Sequence, residues 1–334
     1  MTPKRHIIPV FIPHEGCKHA CVFCNQRMIS GTEGAASIKK VHAAISTLSS
    51  ADFPAELAFY GGSFTALPEK RQDELLEAAK PFLASGANRS IRISTRPDCI
   101  DESTLVRLTK AGVETVELGV QSMCDDVLSL AKRGHAAADA IRAAELVKQS
   151  GLYLILQMMT GLPGDTAAKS LFTARRLIAL KPDGVRIYPT VVVGGTELYN
   201  MWRAGQYAEH TVEEAVELCA QVCALFRDAG IPVIRLGLNP TDELSAGDAI
   251  AGAYHPAFGD LVYSRMYYNM AAELLNHVPH GSSVIITVPK GRISTMIGQK
   301  RENIIKLQNE FSLREIKVVE SMQQRAEQSV EVSI

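Results

Sequence analysis

The alternation of short β-branched runs with longer helical stretches is the feature that most constrains the fold of this chain. Seven runs of five to seven mostly apolar residues have the length and composition of strands buried on both faces. They recur about every 30 residues, which is the rhythm of strand–helix–strand units in a parallel sheet. The predicted strands are Ile7–Ile12, Glu56–Tyr60, Ser90–Thr95, Val113–Gly119, Leu152–Met158, Gly184–Tyr188 and Pro232–Leu236.

Helical patterns fill the gaps between these runs and carry recognisable ends. The stretch 101–111 opens with Asp101, a typical N-cap residue, and stops before Gly112. Further helices are predicted at Leu67–Leu83, Ala136–Ser150 and Thr211–Ala229. We therefore predict an α/β fold, a partial or complete parallel (β/α) barrel, whose functional residues follow the carboxyl ends of the strands.

The rhythm changes after Leu236, and this change divides the chain into three parts. Residues 1–236 form the predicted barrel, and residues 237–280 form a connecting segment with a helix at Phe258–Leu275. Residues 281–334 form a small α/β module, with strands at Ser283–Val288 and Ile316–Val319 and a helix near Asn303–Glu310.

Composition excludes several classes of protein. Hydrophobic residues make up 46% and charged residues 21% of the 334 residues, with a net charge of -1, which excludes a disordered or wholly basic chain. No apolar run is long enough for a secretory signal or a membrane span, so we expect a cytoplasmic protein without a membrane partner. The sequence leaves the oligomeric state open.

Three cysteines crowd into one short loop directly after the first predicted strand. Cys17, Cys21 and Cys24 have Cys-x3-Cys-x2-Cys spacing, and thiolates are ligands for iron–sulfur clusters, zinc or copper(I). Three cysteines on a [4Fe–4S] cluster leave one iron free to bind another ligand. The alternative is a zinc knuckle that uses His14 or His19 as its fourth ligand. The other cysteines, Cys99, Cys124, Cys219 and Cys223, are expected to be structural.

Two motifs together resemble the radical S-adenosylmethionine (radical SAM) enzymes. The cysteine loop carries Phe23 just before its third cysteine, where that superfamily has an aromatic residue. The second predicted strand is followed by Gly61-Gly62-Ser63, which matches the polar form of the superfamily's Gly-Gly motif. The resemblance implies a [4Fe–4S] cluster on the three cysteines and SAM on its open iron.

Later motifs narrow the resemblance to the radical SAM domain of the Elongator catalytic subunit, which modifies the wobble uridine of tRNA. The similarity covers roughly residues 7–260, and its motifs occur in the family's order. These motifs are Arg96-Pro97-Asp98, Val116 to Ser122, Arg133-Gly134-His135, Met158-Met159, Leu162-Pro163-Gly164, Ile187 to Thr190, Gly195-Thr196, Leu198-Tyr199, Trp202 and Gly205-Gln206-Tyr207.

The resemblance assigns SAM contacts to particular positions. Gln121 matches a glutamine at the SAM ribose, Arg133 an arginine that can pair with the SAM carboxylate, and Gln157 a polar strand end near the adenosine. Arg133 could equally be a solvated helix-end charge and Gln121 a hydrogen-bonded rim residue. Arg96 is expected to anchor either substrate or structure. The implied chemistry is a 5′-deoxyadenosyl radical that abstracts hydrogen from substrate, with a flavodoxin or ferredoxin as electron donor.

The sequence also departs from the Elongator pattern. Ser94 stands where relatives often carry a glutamate, so one polar contact to SAM is altered. The first cysteine spacing is the conventional radical SAM one rather than the longer Elongator one. The stretch after the predicted barrel is too short for the family's acetyltransferase domain, so we expect that domain to be lacking and the product to differ.

The terminal module resembles a KH-type RNA-binding element. In such elements a Gly-x-x-Gly loop between two helices clamps backbone phosphates, and here Gly298 begins that loop while Arg301 replaces the second glycine. Residues 281–317 contain seven lysines and arginines against three glutamates, a net charge of +4. The candidate RNA contacts are Lys290, Arg292, Gly298, Lys300 and Arg301. The alternative is a solvated helix face on a docking module.

Three functions are compatible with the sequence. The leading one is a radical SAM enzyme that modifies tRNA or another RNA. The second is a radical SAM enzyme for a small molecule, as in oxygen-independent coproporphyrinogen oxidases, with a structural terminal module. The third is a zinc-containing RNA-binding protein without catalysis. No catalytic residue beyond the cofactor positions is assigned.

Overall fold

The computed structural model describes residues 5–12, 17, 21–24, 38–46, 54–86, 88–238, 249–321 and 329–334. Within these ranges the strands are β1 (His6–Ile12), β2 (Ala55–Gly61), β3 (Arg89–Thr95), β4 (Val113–Gln121), β5 (Tyr153–Thr160), β6 (Gly184–Pro189), β7 (Val191–Val193), β8 (Val233–Leu236), β9 (Ala249–Gly252), β10 (Ser283–Val288), β11 (Glu315–Glu320) and β12 (Glu331–Ser333).

The helices alternate with the strands of the main sheet, as the sequence predicts. They are α1 (Ile38–Ser46), α2 (Glu69–Ala84), α3 (Glu102–Lys110), α4 (Asp125–Leu130), α5 (Ala137–Gln149), α6 (Ala167–Ala179), α7 (Glu197–Arg203), α8 (Val212–Asp228), α9 (Phe258–Leu275), α10 (Ile293–Ile297) and α11 (Glu302–Glu310). The predicted cap of α3 is present, since the carboxylate of Asp101 accepts a 2.7 Å hydrogen bond from the Thr104 amide.

Seven parallel strands form one sheet in the order β1-β2-β3-β4-β5-β6-β8. All seven predicted strands are therefore confirmed. The outward-facing residues of these strands pack against the helices in one large apolar core that includes Val10, Phe59, Ile93, Leu118 and Leu156. Covering this face satisfies the rule that parallel sheets are buried, and it explains why the strands read as apolar runs.

The inner face of the same sheet is polar and shows that the sheet curves. Arg186 on β6 donates a hydrogen bond to the hydroxyl of Tyr60 on β2, although three strands lie between them in the sheet. Side chains from strands this far apart in the sheet can meet only if the sheet curves around them. Among the described strands β1 and β8 do not pair, so the sheet is a half-barrel, the partial form of the predicted barrel.

Buried charges on the inner face pair with one another between different strands of the sheet. Glu56 on β2 is 1% exposed and accepts from Arg92 Nε at 2.8 Å and from the Thr115 hydroxyl at 2.6 Å. Glu117 on β4 lies 3.0 Å from Arg186 Nε. We call Glu56, Arg92, Glu117 and Arg186 the inner ladder. Each charge has an opposite neighbour because burying it alone would be costly.

A two-stranded antiparallel ribbon and a short helix extend the end of the half-barrel. β7 begins two residues after β6 and pairs with β9, which lies beyond residues 239–248 in the chain. The sequence analysis predicts neither β7 nor β9, because strands of three or four residues carry little periodicity. Helix α7 follows β7 and begins at Thr196, whose hydroxyl accepts from the Tyr199 amide at 3.1 Å.

The carboxyl-terminal module has its own three-stranded sheet and its own apolar core. β10 lies between β11, which is parallel to it, and β12, which is antiparallel. The predicted helix pair around Gly298 is present as α10 and α11. Helix α9 belongs to both cores, since Val262 and Met266 pack with the half-barrel and Ala271 and Leu275 with the module.

None of the helices in the described ranges combines the length and the low polarity that a membrane crossing requires.

The inner ladder gives a stability prediction. We expect Glu56→Leu to lower the free energy of unfolding by about 3 kcal/mol, because it leaves the Arg92 guanidinium buried beside an apolar side chain. The double variant Glu56→Leu/Arg92→Met should recover much of that loss, because both charges are then removed. Urea unfolding followed by circular dichroism measures both values.

The exposed pair between Glu77 and Lys80, whose atoms are 2.6 Å apart, provides the matched control. We expect Glu77→Leu to change stability by about 0.5 kcal/mol or less. A Glu56→Leu protein as stable as this control would contradict the role given to the ladder.

Candidate cofactor site

The described end of the cysteine loop, residues 21–24, is fixed from two sides by distant parts of the chain. The Val22 amide donates to the carbonyl of Ala131 at 3.2 Å, and the Leu198 amide donates to the carbonyl of Val22 at 2.7 Å. The Val22 side chain is fully buried, and Phe23 packs at the edge of the same small apolar cluster. A turn between Cys21 and Cys24 completes the loop, with 3.0 Å between the Cys24 amide and the Cys21 carbonyl.

Two buried arginines stand beside the thiols. Arg133 donates from Nη1 to the Cys21 sulfur at 3.2 Å and from Nη2 to the Gly119 carbonyl at 2.7 Å. Arg96 bonds to Asp98 at 2.9 Å and to the Arg133 carbonyl, so it anchors the structure as well as adding charge. Burial raises the pKa of the Cys17 thiol, and the nearby Arg96 guanidinium opposes that rise.

His135 adds no positive charge near the cysteine thiols. Burial, together with the neighbouring Arg133 guanidinium, lowers the pKa of His135 to about 4. The ring is therefore neutral at physiological pH, with Nε2 3.3 Å from the carbonyl of Val120. The positive charge beside the cysteines comes from Arg96 and Arg133.

The Gly-Gly motif brings the ends of β1 and β2 into close contact. Gly61 has a φ of +99°, and a Cβ atom there would stand 2.7 Å from the carbonyl oxygen of Ile12. Only glycine fits both constraints. After it, the Ser63 hydroxyl hydrogen-bonds to Thr95 Oγ1 at 2.8 Å and accepts from the Arg96 amide at 3.1 Å, which ties the ends of β2 and β3 together.

The ends of β4 and β5 bring the two predicted glutamines together. Gln121 has a φ of 68° at a register irregularity of β4, and its Oε1 accepts from Gln157 Nε2 at 3.2 Å. Beside them Gly119 leaves a cradle, since a Cβ there would lie 3.1 Å from Gln121 Nε2 and 3.4 Å from Arg133 Nη2. Ser94 lies lower on β3, in register with Glu117, which is two residues before Gly119 on β4.

The structure thus gathers the predicted cofactor positions at the carboxyl ends of neighbouring strands. Gly61 ends β2 and is followed by Gly62 and Ser63, Ser94 lies near the end of β3, and Gln121 and Gln157 lie at or near the ends of β4 and β5. The predicted RNA contacts stand apart, in the terminal module. His14 and His19, the fourth ligands of the zinc alternative, lie outside the described residues.

Sequence reasoning missed the inner ladder. Its signal was present, because the strands β2, β3, β4 and β6 each contain at least one charged residue among apolar neighbours. An isolated charge in a strand buried on both faces requires a partner from a neighbouring strand. Looking for opposite charges among the predicted strands would have paired Glu56 with Arg92 on the next strand, and would have given Arg92 and Arg186 as candidate partners of Glu117.

The donor set fits an iron–sulfur cluster, because thiolates are the ligands that such clusters bind. A cluster carrying thiolates is anionic, and two guanidiniums already stand beside these thiols. Buried Arg133 Nε and Arg96 Nη1 have no hydrogen-bond partner in the described residues.

Gly61 offers a test of this geometry. We expect Gly61→Ala to reduce both iron retention after anaerobic reconstitution and SAM binding, because the new methyl group collides with the Ile12 carbonyl and separates β1 from β2. Iron per chain and the SAM dissociation constant from equilibrium dialysis measure the effect.

Gly230→Ala is the matched control for this substitution. Gly230 has a similarly positive φ of +70°, but no atom of the described residues lies within 4 Å of the position that a methyl group would take there. The control therefore carries only the backbone strain of about 1 kcal/mol. Equal iron and SAM binding by the two variants would contradict the interpretation of Gly61.

Comparisons with known proteins agree with this geometry. The Radical SAM superfamily model matches residues 11–177, and the Radical_SAM C-terminal domain model matches residues 182–268. The tRNA uridine(34) acetyltransferase of Methanocaldococcus infernus is 34% identical over 205 residues, which cover 59% of this chain and 37% of that protein. Human Elongator complex protein 3 is 29% identical over 214 residues, which cover 55% and 39%.

Solved structures lead to the same superfamily. Archaeal Elp3 from Methanocaldococcus infernus superposes with a TM-score of 0.62 at 25% identity, over 79% of this chain and 63% of that one. Coproporphyrinogen III oxidase of Escherichia coli, a radical SAM enzyme, has a TM-score of 0.51 at 18% identity over 68% and 54%, and shares the fold alone. The matched region spans about two fifths of the length of the curated relatives. This chain belongs to the radical SAM superfamily of enzymes.

Proposed function

We propose that this chain binds a [4Fe–4S] cluster through Cys17, Cys21 and Cys24, binds SAM beside it, and modifies a nucleoside of tRNA. The observation that carries the proposal is the fixed cysteine loop, with the Arg133 guanidinium on Cys21, at the carboxyl ends of a parallel half-barrel. When bound, the cluster and SAM supply a 5′-deoxyadenosyl radical that removes hydrogen from substrate. A flavodoxin or ferredoxin would supply the electron.

The chain's own residues would bind and orient the SAM molecule. Gly61 and Gly62 allow its amino group to approach the backbone, and Ser63 holds that turn against β3. Gln121 and Gln157 offer amide groups to its ribose and adenine. Gly119 leaves room for the ligand in front of Arg133, whose guanidinium is suited to a carboxylate.

Phe23 and Ser94, two of the proposed SAM positions, would contribute less directly to SAM binding. Phe23 packs at the edge of the apolar cluster under the cysteine loop, so it would shield one side of the cofactors from water. Ser94 has a short side chain on the inner face of β3, where a glutamate would reach further towards SAM. Its hydroxyl would therefore contribute a weaker contact, or one made through water.

An RNA substrate is favoured by the named activities of the relatives. The relatives at 29–34% identity are a tRNA uridine(34) acetyltransferase and the Elongator complex protein 3. The coproporphyrinogen oxidase shares only the fold, so the small-molecule alternative has weaker support. The zinc alternative lacks catalysis and therefore disagrees with membership of an enzyme superfamily.

The terminal module would hold the RNA backbone. We propose that residues 281–334 act as a separate RNA-binding unit, connected to the barrel through residues 237–280. The cationic side chains of Lys290, Arg292, Lys300 and Arg301 have no hydrogen-bond or ion-pair partner among the described residues, although Arg292 and Arg301 make backbone hydrogen bonds. Both Lys300 and Arg301 hold positive φ values, 48° and 63°, next to Gly298 at 75°. Unpaired cations on a strained loop suit phosphate contacts.

The cluster ligands give the first test of this proposal. Anaerobically reconstituted wild-type protein with dithionite and SAM should form 5′-deoxyadenosine, and Cys21→Ser should form almost none, because one cluster ligand is missing. Chromatography with mass detection measures the product. Cys124→Ser, at a half-buried cysteine before α4, is the control and should keep full activity. Equal product from the two variants would argue against the cluster.

Nucleoside mass spectrometry of total tRNA tests the substrate. Cells that lack the protein should lose or accumulate one modified uridine, and wild-type protein but not Cys21→Ser should restore it. An unchanged nucleoside profile would contradict the proposed tRNA substrate but not the proposed radical chemistry.

The terminal module gives a separate prediction. Lys300→Glu/Arg301→Glu should weaken tRNA binding about tenfold or more and flatten its dependence on salt, because two phosphate contacts are lost. Lys80→Glu reverses an exposed charge on α2 of the barrel and should change little. Filter binding over a range of salt concentrations measures both. Salt dependence identical to wild type would favour the docking alternative for the module.

A further inference from the structure

A wall of aromatic side chains on the inner face of the half-barrel has no part in the cofactor site. Phe11 on β1 and Tyr60 on β2 are partners in the strand register, and their ring centroids are 6.4 Å apart. Tyr188 lies across the interior on β6. The Arg186 guanidinium, one of the inner ladder, connects the two tyrosines.

The hydrogen bonds of Arg186 fix the direction in which both phenol groups can donate. Arg186 donates from Nη2 to the Tyr60 oxygen at 2.5 Å and from Nη1 to the Tyr188 oxygen at 3.2 Å. A guanidinium has no acceptor, so each hydroxyl must direct its own proton elsewhere. Within the described ranges no residue accepts that proton from either tyrosine. The two phenols are therefore a pair of free donors held by one rigid cation.

Both donors remain protonated over the physiological range. Burial raises the pKa of Tyr60 and also that of Tyr188, and for Tyr60 the nearby Glu117 carboxylate raises it further. Glu117, Arg92 and Arg186 are the charged groups that face Tyr60, whereas Arg186, Glu117 and Arg235 face Tyr188. A ligand here thus meets two O–H donors and needs acceptors to match them.

Phe11 gives the same space a flat apolar surface. Its side chain is 38% exposed, although β1 is otherwise apolar and its outward residues Val10 and Ile12 are almost fully buried. An exposed ring on the concave face of a sheet offers one side for stacking. Base–aromatic stacking contributes about 1–3 kcal/mol in nucleic-acid complexes.

The wall is next to the proposed SAM site. Tyr60 immediately precedes Gly61, and Phe11 immediately precedes Ile12, whose carbonyl approaches Gly61. On the opposite side, Arg186 is in register with Gln157 and Tyr188 with Met159. A ring bound against this wall would therefore lie inside the half-barrel, beside the residues proposed to bind SAM.

We propose that Phe11, Tyr60 and Tyr188 form the substrate-base pocket, in which the ring of Phe11 stacks on a flipped base and the two phenols donate to two carbonyl oxygens. A pyrimidine-2,4-dione, the ring system of uracil, carries two such acceptors. Cytosine replaces one of them with an amino donor, which would face a phenol donor. This inference rests on the proposed RNA-modifying function and assigns its base specificity to named residues.

The test compares two RNAs on reconstituted protein with SAM. One is an anticodon stem-loop with uridine at the first anticodon position, and the other differs only by cytidine there. Wild-type protein should bind the uridine RNA about tenfold more tightly, because the amino group of cytosine leaves one buried donor unmatched. Of Tyr60→Phe and Tyr188→Phe, the variant that removes the phenol facing the C4 oxygen should reduce that preference to near unity by weakening uridine binding. The other variant removes the donor to the C2 oxygen, which both bases carry, and should weaken both RNAs by a similar factor. Fluorescence anisotropy measures the affinities.

Two further variants keep the result interpretable if a tyrosine variant folds poorly. Phe11→Leu changes a partly exposed side chain and should weaken both RNAs by a similar factor, about tenfold, because stacking does not distinguish the bases. Tyr153→Phe, at the amino end of β5, is the matched control and should bind like wild type. Formation of 5′-deoxyadenosine without RNA should also be unchanged in Tyr153→Phe.

The outcomes separate this inference from the function on which it rests. A uridine preference that survives in both Tyr60→Phe and Tyr188→Phe, with Phe11→Leu also unchanged, would overturn the pocket while leaving tRNA modification intact. Equal binding of the two RNAs by wild-type protein would overturn the two-acceptor specificity. Wild-type protein that binds neither RNA would contradict both the proposed function and this inference.

Discussion

Pairing of buried charges across the inner face of the sheet is the interaction on which the half-barrel depends. A parallel sheet normally covers both faces with helices, but in the described structure the helices pack on the outer face. The inner face instead carries Glu56, Arg92, Glu117 and Arg186, each beside an opposite charge. This arrangement keeps the interior polar without leaving a charge unpaired, and it leaves space that an apolar core would have filled.

The same charges link the fold to the proposed chemistry. Arg186 is held by Glu117 and in turn holds Tyr60 and Tyr188, so the position of the two phenols follows from the stability of the sheet. At the rim, Arg133 connects the cysteine loop to the end of β4 through Cys21 and Gly119. Rigid groups of this kind suit radical chemistry, in which the protein must hold reactive partners in place and exclude other reactions.

Much of the fold could be predicted from sequence because its signals are local. The apolar runs marked all seven strands of the main sheet, and the cap at Asp101 marked the start of α3. The short β7 and β9 were missed because three or four residues carry no clear period, and their pairing joins segments far apart in the chain. Helix α9 was predicted at its observed bounds, but its division between two cores depends on packing that no local pattern records.

The sequence by itself determined the strand rhythm, the cysteine spacing and the glycines after β2, because each of these is a property of neighbouring residues. Only the tertiary structure decided which side chains meet. It brought Arg133 to Cys21 across more than a hundred residues, joined Gln121 to Gln157, and set Arg186 against Tyr60 through the curvature of the sheet. Such contacts depend on how parallel strands twist and close, and that geometry arises only when the whole sheet has assembled.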